Sequence, residues 1–316
     1  HLEDVPLEDP LAESLPLPVP LPRKILERWP HASSSLLAGG SEELQTLPIN
    51  HGVESTTLRG GFASGEATMR DFLEEKLERY PERRNRPEED GSSGLSPYLH
   101  FGHLSSHQIF VELMVRARWT PEDLSDRANG RRSGWWGVDQ PAEAFLDQFI
   151  TWRELGFNFC FHRSDHDDYS ALPDWARQTL NQHALDDREF NYSEEEFAAA
   201  ATHDPLWNAA QRQLVREGRI HNYLRMLWGK KILEWSEHPR QALAIMFELN
   251  NRFALDGRDP NSSSGILWTL GRFDRPWGPE RAIFGKVRYM SSANTARKMP
   301  VGKYIEKFGP HPEGRQ

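Results

Sequence analysis

Apolar residues recur every three or four positions along most of the chain beyond residue 60, as they do in amphipathic helices. The first such stripe consists of Met69, Phe72, Leu73, Leu77 and Tyr80. Ser64 lies just before it and is a candidate N-cap. Further stripes predict helices over about 105–117, 143–160, 174–184, 194–201, 205–216, 219–235 and 239–252. No run of alternating β-branched residues predicts a strand, so the pattern favours an all-α domain over residues 61–308.

Proline and glycine mark the segments where this helical pattern is absent. Residues 1–30 contain seven prolines, several in Leu-Pro and Val-Pro pairs that favour extended backbone and cannot sustain a helix. Residues 1–60 are therefore predicted to form a Pro-rich linker or strap. Residues 81–97 and 256–300 are predicted to be long functional loops, and residues 309–316 a tail.

The composition indicates a soluble protein of a reducing compartment. The charged fraction is 27%, no long apolar run could cross a membrane, and Cys160 is the single cysteine. We therefore expect a cytoplasmic protein, associated with the nucleoid if its source is bacterial. We also expect a monomer with no metal site and no membrane contact.

Charge is unevenly distributed along the chain. The net charge of −9 argues against nucleic-acid binding by the molecule as a whole. Within residues 271–316, however, ten Lys and Arg residues outnumber four Asp and Glu residues. Such a basic region is compatible with a nucleic-acid surface, although charge alone favours a solvated surface of mixed sign.

A Ser/Gly-rich segment at residues 91–97 is a candidate anion-binding loop. Its small residues allow backbone N–H groups to approach a phosphate closely, and three serine hydroxyls add further donors. Taken alone, such a segment more often forms an ordinary turn. The loop runs directly into the octapeptide Leu-Ser-Pro-Tyr-Leu-His-Phe-Gly at residues 95–102.

The octapeptide at residues 95–102 resembles a signature of the DNA photolyase and cryptochrome family. Residues 152–154, 221–226 and 255–261 resemble other parts of the family pattern. Four further segments resemble the class II branch, whose members split cyclobutane pyrimidine dimers: residues 202–208, 228–235, 285–291 and 304–307. The resemblance covers roughly residues 65–308, and several long matches in one order are far more specific than one short motif.

The resemblance implies FAD, held in a folded conformation between helices. Its phosphates and ribose would be bound by Tyr80, Arg84, Asn85, Ser92, Ser93, Leu95 and Ser96. Other pocket residues implied by the resemblance are Arg153, Asn222, Gly257 and Arg258. Arg225 and Asp256 would form an ion pair against the isoalloxazine ring, and Asn250 would face its N5 atom.

Three tryptophans admit two interpretations. Trp228 and Trp235 are seven residues apart on one predicted helix, so they share a face about 10 Å apart. Spacing alone favours a role in the core, because Trp packs well there. The resemblance implies instead an electron-transfer chain, with Trp228 nearest the flavin, Trp207 in the middle and Trp235 at the surface.

UV-damaged DNA is the partner that the resemblance implies. Basic residues would bind the phosphates while the damaged dinucleotide flips out of the duplex. Excited, fully reduced FAD would donate one electron, and the cyclobutane bonds would break before the electron returns. The dimer would lie against aromatic walls formed by Trp152 and Trp268, and above Met226. The surface that grips the DNA would include Arg275, Trp277 and Arg288.

Gln148 is the main departure from the family pattern, which usually has a Glu that hydrogen-bonds the dimer. It is a candidate catalytic residue together with Asn250 and Met226, but its amide cannot transfer a proton. A cryptochrome-like flavin photoreceptor without repair activity therefore stays open, as does, more distantly, a non-catalytic DNA-binding helical protein. Relatives also carry an amino-terminal α/β antenna domain, which we expect to be absent because the chain begins near the linker that would follow it.

Overall fold

The computed structural model describes residues 20–38, 41–127 and 133–310. The chain forms two units, residues 1–55 and residues 56–316. Residues 1–19 and 39–40 of the predicted Pro-rich strap, and residues 311–316 of the predicted tail, lie outside the described residues.

The described part of the first unit is partly helical. It contains α1 (Arg23–Arg28), α2 (Ser34–Leu37) and α3 (Ser41–Leu44). These short helices follow the Leu-Pro and Val-Pro pairs, which end at Pro22, so the linker contains helical turns that the proline pattern did not predict. Pro22 stands at the N-cap of α1, where proline's missing N–H costs nothing, and Ser33 caps α2 by accepting a hydrogen bond from the Leu36 N–H at 3.0 Å.

The second unit is helical along its described length, which confirms the all-α prediction. Its helices are α4 (Phe62–Asp71), α5 (Tyr80–Arg83), α6 (Ser96–His100), α7 (Ser106–Ala117), α8 (Gln140–Leu146), α9 (Arg153–His162), α10 (Asp174–Gln182), α11 (Glu194–Ala198), α12 (Pro205–Glu217), α13 (Asn222–Trp235), α14 (Pro239–Phe253), α15 (Pro260–Thr269), α16 (Ser292–Lys298) and α17 (Gly302–Lys307). π-helical segments at Phe72–Lys76 and Asp147–Trp152 extend α4 and α8. The described residues contain no β-strand, only an isolated bridge between Arg281 and Gly285.

Helix boundaries differ from the predicted ones where a capping residue outweighs the apolar pattern. Helix α4 begins before Ser64, with Gly61 as its N-cap at φ 96°, a backbone conformation that glycine adopts readily. The predicted loop over 256–300 contains both α15 and α16. The Asp259 carboxylate caps α15 by accepting from the Asn261 N–H at 2.9 Å, and Pro260 occupies the first turn. The small residues 262–265 hid this helix because they interrupt the apolar stripe.

Helix α13 lies at the centre of the second unit and packs against α12, α14 and α15. Its apolar side chains Leu224, Leu227, Ile232 and Leu233 are all buried. The same helix buries a cation. Lys230 is 0% exposed and its Nζ donates to the backbone carbonyl of Thr269 at the end of α15, so a lysine ties the two helices together.

Replacing Lys230 with Met should remove a pH-dependent contribution to stability. Burial lowers the pKa of Lys230 from 10.5 to about 7, so between these values the unfolded state binds more protons than the folded state. The free energy of unfolding of the wild type should therefore rise with pH, relative to that of Lys230→Met, by up to about 1.4 kcal/mol per pH unit.

Urea unfolding of both proteins between about pH 7 and pH 9 measures this difference. The exposed Lys24→Met is the matched control, and its curve should run parallel to that of the wild type. If the unfolding free energy of Lys230→Met varies with pH as that of the wild type does, the lowered pKa of Lys230 is not the cause of the pH dependence.

Candidate functional site

A cavity of about 1160 Å³ lies in the second unit. It is larger than the roughly 300–1,000 Å³ typical of sites for drug-sized ligands, and so can hold a dinucleotide. Its walls come from segments far apart in sequence. The predicted site residues that border it are Tyr80, Arg84, Asn85, Ser92, Ser93, Leu95, Ser96, Gln148, Trp152, Arg153, Asn222, Arg225, Met226, Asp256, Trp268 and Arg288.

The Ser/Gly loop forms one end of this cavity and is held tightly against the end of α5. A Cβ placed on Gly91 would lie 2.5 Å from the Arg83 Cβ, and Gly94 has φ +70°, so both positions require glycine. Ser92 and Ser93 border the cavity beside Arg84, whose guanidinium lies 5.6 Å from the centre of the Tyr80 ring. Hydroxyls, loop backbone and a positioned cation together suit a phosphate group.

His221 also borders the cavity and was missed by sequence reasoning. Burial lowers the pKa of its imidazole to about 4, although the Asp90 charge and a hydrogen bond with the Arg86 backbone act in the opposite direction. Both ring nitrogens are covered by the surrounding protein, so the ring is neutral near pH 7 and acts as part of the cavity wall. Its place directly before Asn222, inside the family-like segment 221–226, was the available signal.

An aromatic wall forms another part of the cavity. Trp152 and Trp268 are in contact, with ring centroids 4.4 Å apart and planes tilted by 35°. The two rings therefore pack against each other, and both residues border the cavity as the resemblance implied. The Trp152 indole N–H donates to Asp147 Oδ2 at 3.1 Å, and the Gln148 amide Nε2 donates to the same oxygen at 2.8 Å. Asp147, which also borders the cavity, was not predicted.

A cationic cluster around Trp277 reaches the same cavity through Arg288. The guanidinium groups of Arg275 and Arg288 lie 4.4 and 5.0 Å from the centre of the Trp277 ring. The Trp277 indole N–H donates to Asp274 Oδ1 at 3.1 Å, which orients the ring. Arg288 borders the cavity, whereas Arg275 and Trp277 do not. Both arginines are exposed, so their charges are available to an anionic polymer.

Three predicted cofactor residues lie behind the cavity wall. Asn250 is buried and its Nδ2 donates to the Gly257 carbonyl at 2.8 Å. Gly257 packs so closely that a Cβ there would lie 2.6 Å from the Asn250 carbonyl oxygen. Arg258 is exposed. In this structure Asn250 and Gly257 brace the turn after α14, and the contacts of the three residues with a cofactor stay predictions.

The predicted ion pair between Arg225 and Asp256 is not formed. Both side chains border the cavity, yet none of the described ion pairs joins them. Both are also only half-buried, and a solvated pair gains little from direct contact. Each charge is therefore left to interact with a ligand separately.

The three tryptophans form a buried cluster between α12 and α13. The Trp207 indole N–H donates to the Trp228 carbonyl at 3.0 Å, and the Trp207 and Trp235 ring centroids are 6.1 Å apart. The prediction that Trp235 lies at the surface is wrong, since it is 3% exposed. Residues seven apart share a helix face, and that face packs on α12. Tyr192 and the exposed His203 cover Trp235, at ring-centroid distances of 5.8 and 4.9 Å.

The described part of the chain contains neither a candidate metal site nor a candidate membrane-spanning helix. No group of three His, Cys, Asp or Glu side chains is placed there to hold a metal ion. None of the described helices combines the length and apolar character that crossing a membrane demands.

Comparison with known proteins gives consistent relatives. No protein-family model matches the chain. The deoxyribodipyrimidine photo-lyase of Methanothermobacter thermautotrophicus is 41% identical over 256 residues, which are 81% of this chain and 52% of that protein. The enzyme of the same name from Potorous tridactylus is 39% identical over 266 residues, 84% of this chain and 46% of that protein. The chain thus spans about half the length of the curated relatives it matches.

Solved structures share the fold at lower identity. A class III photolyase from Agrobacterium tumefaciens matches with a TM-score of 0.55 and 19% identity, covering 78% of this chain and 44% of that one. A cryptochrome from Synechocystis matches with a TM-score of 0.55 and 18% identity, covering 83% of this chain and 48% of that one. Sequence relatives at about 40% identity and this shared helical fold agree with the motifs at residues 95–102 and 221–226. The chain therefore belongs to the DNA photolyase and cryptochrome family.

Proposed function

We propose that this chain is the FAD-binding catalytic part of a light-driven DNA repair enzyme that splits cyclobutane pyrimidine dimers. The observation that carries the proposal is a single cavity with a phosphate-binding end and an aromatic end. The Ser92 and Arg84 side chains lie at the first end, and Trp152 and Trp268 at the second. Arg84 and the serine hydroxyls would hold the FAD diphosphate, and the bound FAD would supply the light-driven one-electron chemistry of repair.

The phosphate-binding end supports FAD as the cofactor. Arg84 is positioned over Tyr80 and borders the cavity beside the serine hydroxyls, so it would hold the diphosphate. Arg153 is held 4.4 Å from the Phe157 ring centre and borders the same space.

The aromatic end supports a flipped dinucleotide as the substrate. Two tilted, touching indole rings offer a broad apolar surface for two linked pyrimidines, and base stacking on such rings is worth about 1–3 kcal/mol per base. Arg288 and Arg275, both close to the Trp277 ring, would bind the flanking phosphates and so allow an otherwise acidic chain to bind DNA.

The tryptophan cluster supports electron delivery to the cofactor. Trp228 follows the cavity-lining residues Arg225 and Met226 on α13, so it lies within one turn of the wall. Trp207 hydrogen-bonds the Trp228 backbone and is in ring contact with Trp235. We therefore assign the order Trp228, Trp207, Trp235, with the route reaching solvent beyond Trp235.

A flavin photoreceptor without repair activity is the second candidate function. Gln148 favours it, because an amide neither gives nor takes a proton at the place where relatives usually have a carboxyl group. The two functions share the cofactor and the tryptophans, and they differ in whether a bound dimer is split.

We expect the purified chain to bind one FAD without a covalent bond, and Arg84→Ala to weaken that binding. A lost hydrogen bond to a charged group costs about 1.5–3 kcal/mol, which corresponds to roughly 10- to 150-fold in affinity. Flavin fluorescence after denaturation measures the content, and titration of the apoprotein measures the affinity. Arg86→Ala, an exposed neighbour that does not border the cavity, should bind FAD normally. Failure of the wild type to load FAD would refute the assignment of the cavity.

We expect the FAD-loaded, chemically reduced chain to restore an oligonucleotide that contains one cyclobutane dimer, in light and not in darkness. The reason is the pairing of a cofactor end with a stacking surface in one cavity. Chromatography of the strands before and after illumination measures the restored product. If the damaged strand binds tightly but is not restored, the repair function is refuted and the photoreceptor function is favoured.

We expect Trp228→Phe to abolish or strongly slow the photoreduction of oxidised FAD while leaving FAD content unchanged. Phe keeps most of the packing at this buried position but is much harder to oxidise than Trp. Absorption spectra during illumination with an external reductant measure the rate. Trp119→Phe, in a cluster that does not border the cavity, should photoreduce at the wild-type rate. An unchanged rate in Trp228→Phe would mean that electrons reach the cavity by another route.

A further inference from the structure

Asp147 and Gln148 begin the π-helical segment that joins α8 to α9. Both side chains are half-buried and border the cavity. A π-helical turn brings residues five positions apart onto one another, which explains why the Trp152 indole reaches back to Asp147. The Asp147 Oδ2 atom thus accepts two hydrogen bonds, from Trp152 at 3.1 Å and from Gln148 at 2.8 Å.

The Asp147 carboxylate has no cationic partner among the described ion pairs, so the two N–H groups are its direct contacts in this structure. The pKa of the Tyr80 phenol is raised mainly by burial, and the negative charge of Asp147 raises it further. A surface carboxylate would be expected to point into solvent. This one is instead held against the cavity wall by the two residues that the proposed substrate would touch.

The hydrogen bond from Gln148 fixes which end of its amide points where. An ionised carboxylate only accepts hydrogen bonds, so the NH₂ end must stay against Asp147. Rotating the amide by half a turn would place the Gln148 Oε1 atom against Asp147 Oδ2, two acceptors in contact. The Oε1 atom receives no hydrogen bond from any described residue, and it remains for a ligand together with the second amide hydrogen.

We propose that Asp147 is a positioning residue that locks the Gln148 amide, and that the locked amide selects thymine or uracil over cytosine in the dimer. The inference rests on the proposed function, since it takes Gln148 as the group that meets the flipped base. Thymine and uracil present an N3–H donor between two carbonyl acceptors. Cytosine presents an acceptor at N3 and an amino donor at C4.

The locked amide is complementary to the hydrogen-bonding edge of thymine or uracil and is not complementary to that of cytosine. Its Oε1 accepts from N3–H of thymine while the free amide hydrogen donates to the neighbouring carbonyl. With cytosine in the same place, Oε1 would face the N3 lone pair. A glutamine free to rotate would lose this preference, because turning the amide presents a donor to N3 and an acceptor to the amino group.

The test measures binding in darkness, so that it does not depend on turnover. The FAD-loaded chain is titrated with three versions of one oligonucleotide: undamaged, carrying a thymine–thymine dimer, and carrying a dimer with cytosine at one of the two positions. We expect the wild type to prefer the thymine dimer by about tenfold, the scale of one mismatched hydrogen-bonded base. In Asp147→Asn, nearly isosteric but able both to donate and to accept, we expect the preference to fall below about threefold.

A second pair of variants separates positioning from general damage. In a Gln148→Leu background, Asp147→Asn should not change the preference further, because its effect acts through the amide. FAD content and affinity for undamaged DNA should be unchanged in every variant. The exposed Asp187→Asn is the control for loss of one negative charge, and it should behave as the wild type.

Each alternative result has a defined meaning. If the wild type prefers the thymine dimer and Asp147→Asn keeps that preference, or if both dimers bind equally, the lock is refuted while the repair function stands. If the effect of Asp147→Asn persists in Gln148→Leu, Asp147 acts through Trp152, and the inference is likewise overturned. If the wild type binds neither dimer better than undamaged DNA, the proposed function itself fails.

Discussion

Helix α15 is held from two sides at distances that leave no room for a side chain, and the site depends on that approach. On one side, a Cβ on Gly156 of α9 would lie 2.9 Å from Asn261 Oδ1. On the other, a Cβ on Gly229 of α13 would lie 2.7 Å from the Thr269 side chain. Because α9 and α15 meet so closely, Trp152 and Trp268 come into contact and form the aromatic wall. A Cβ at either point would force the facing Asn261 or Thr269 side chain, or the helices themselves, to shift.

Polar groups buried near this packing explain why the cavity keeps its shape. Lys230 uses its ammonium group to hold the end of α15, at the cost of a pKa lowered by burial. Gln213 accepts hydrogen bonds from the His221 backbone at 2.9 Å and from the Tyr304 hydroxyl at 2.7 Å, which ties α12 to α13 and α17. Such contacts are worth most when every partner is satisfied.

The tryptophans show how packing and redox function can use the same residues. Trp207 and Trp228 are 0% and 2% exposed, so each contributes to the core whatever its role in electron transfer. Burial also keeps the rings at fixed separations, which a route for electrons requires. Spacing along the sequence therefore favoured a core role correctly and could not argue against the second role. The net charge was equally uninformative about the site. A total of −9 gives no sign that Arg275 and Arg288 lie together around Trp277.

The sequence by itself determined many of the helical segments of the second unit, though not α15 or α16, and it identified many of the residues that border the cavity. The stripes that became α7, α12, α13 and α14, and the Ser/Gly loop, were readable because helix periodicity and glycine backbone freedom are local properties. Tertiary structure alone decided that Trp235 is buried, that Asn250 braces a turn, and that Arg225 and Asp256 stay apart. It also placed the Asp147 carboxylate within hydrogen-bond distance of the Gln148 amide and the Trp152 indole. The π-helical turn that does this has no signature in the apolar pattern of the sequence. These outcomes depend on how elements distant in sequence pack together, and side-chain contacts of that kind leave no periodic signal in the chain.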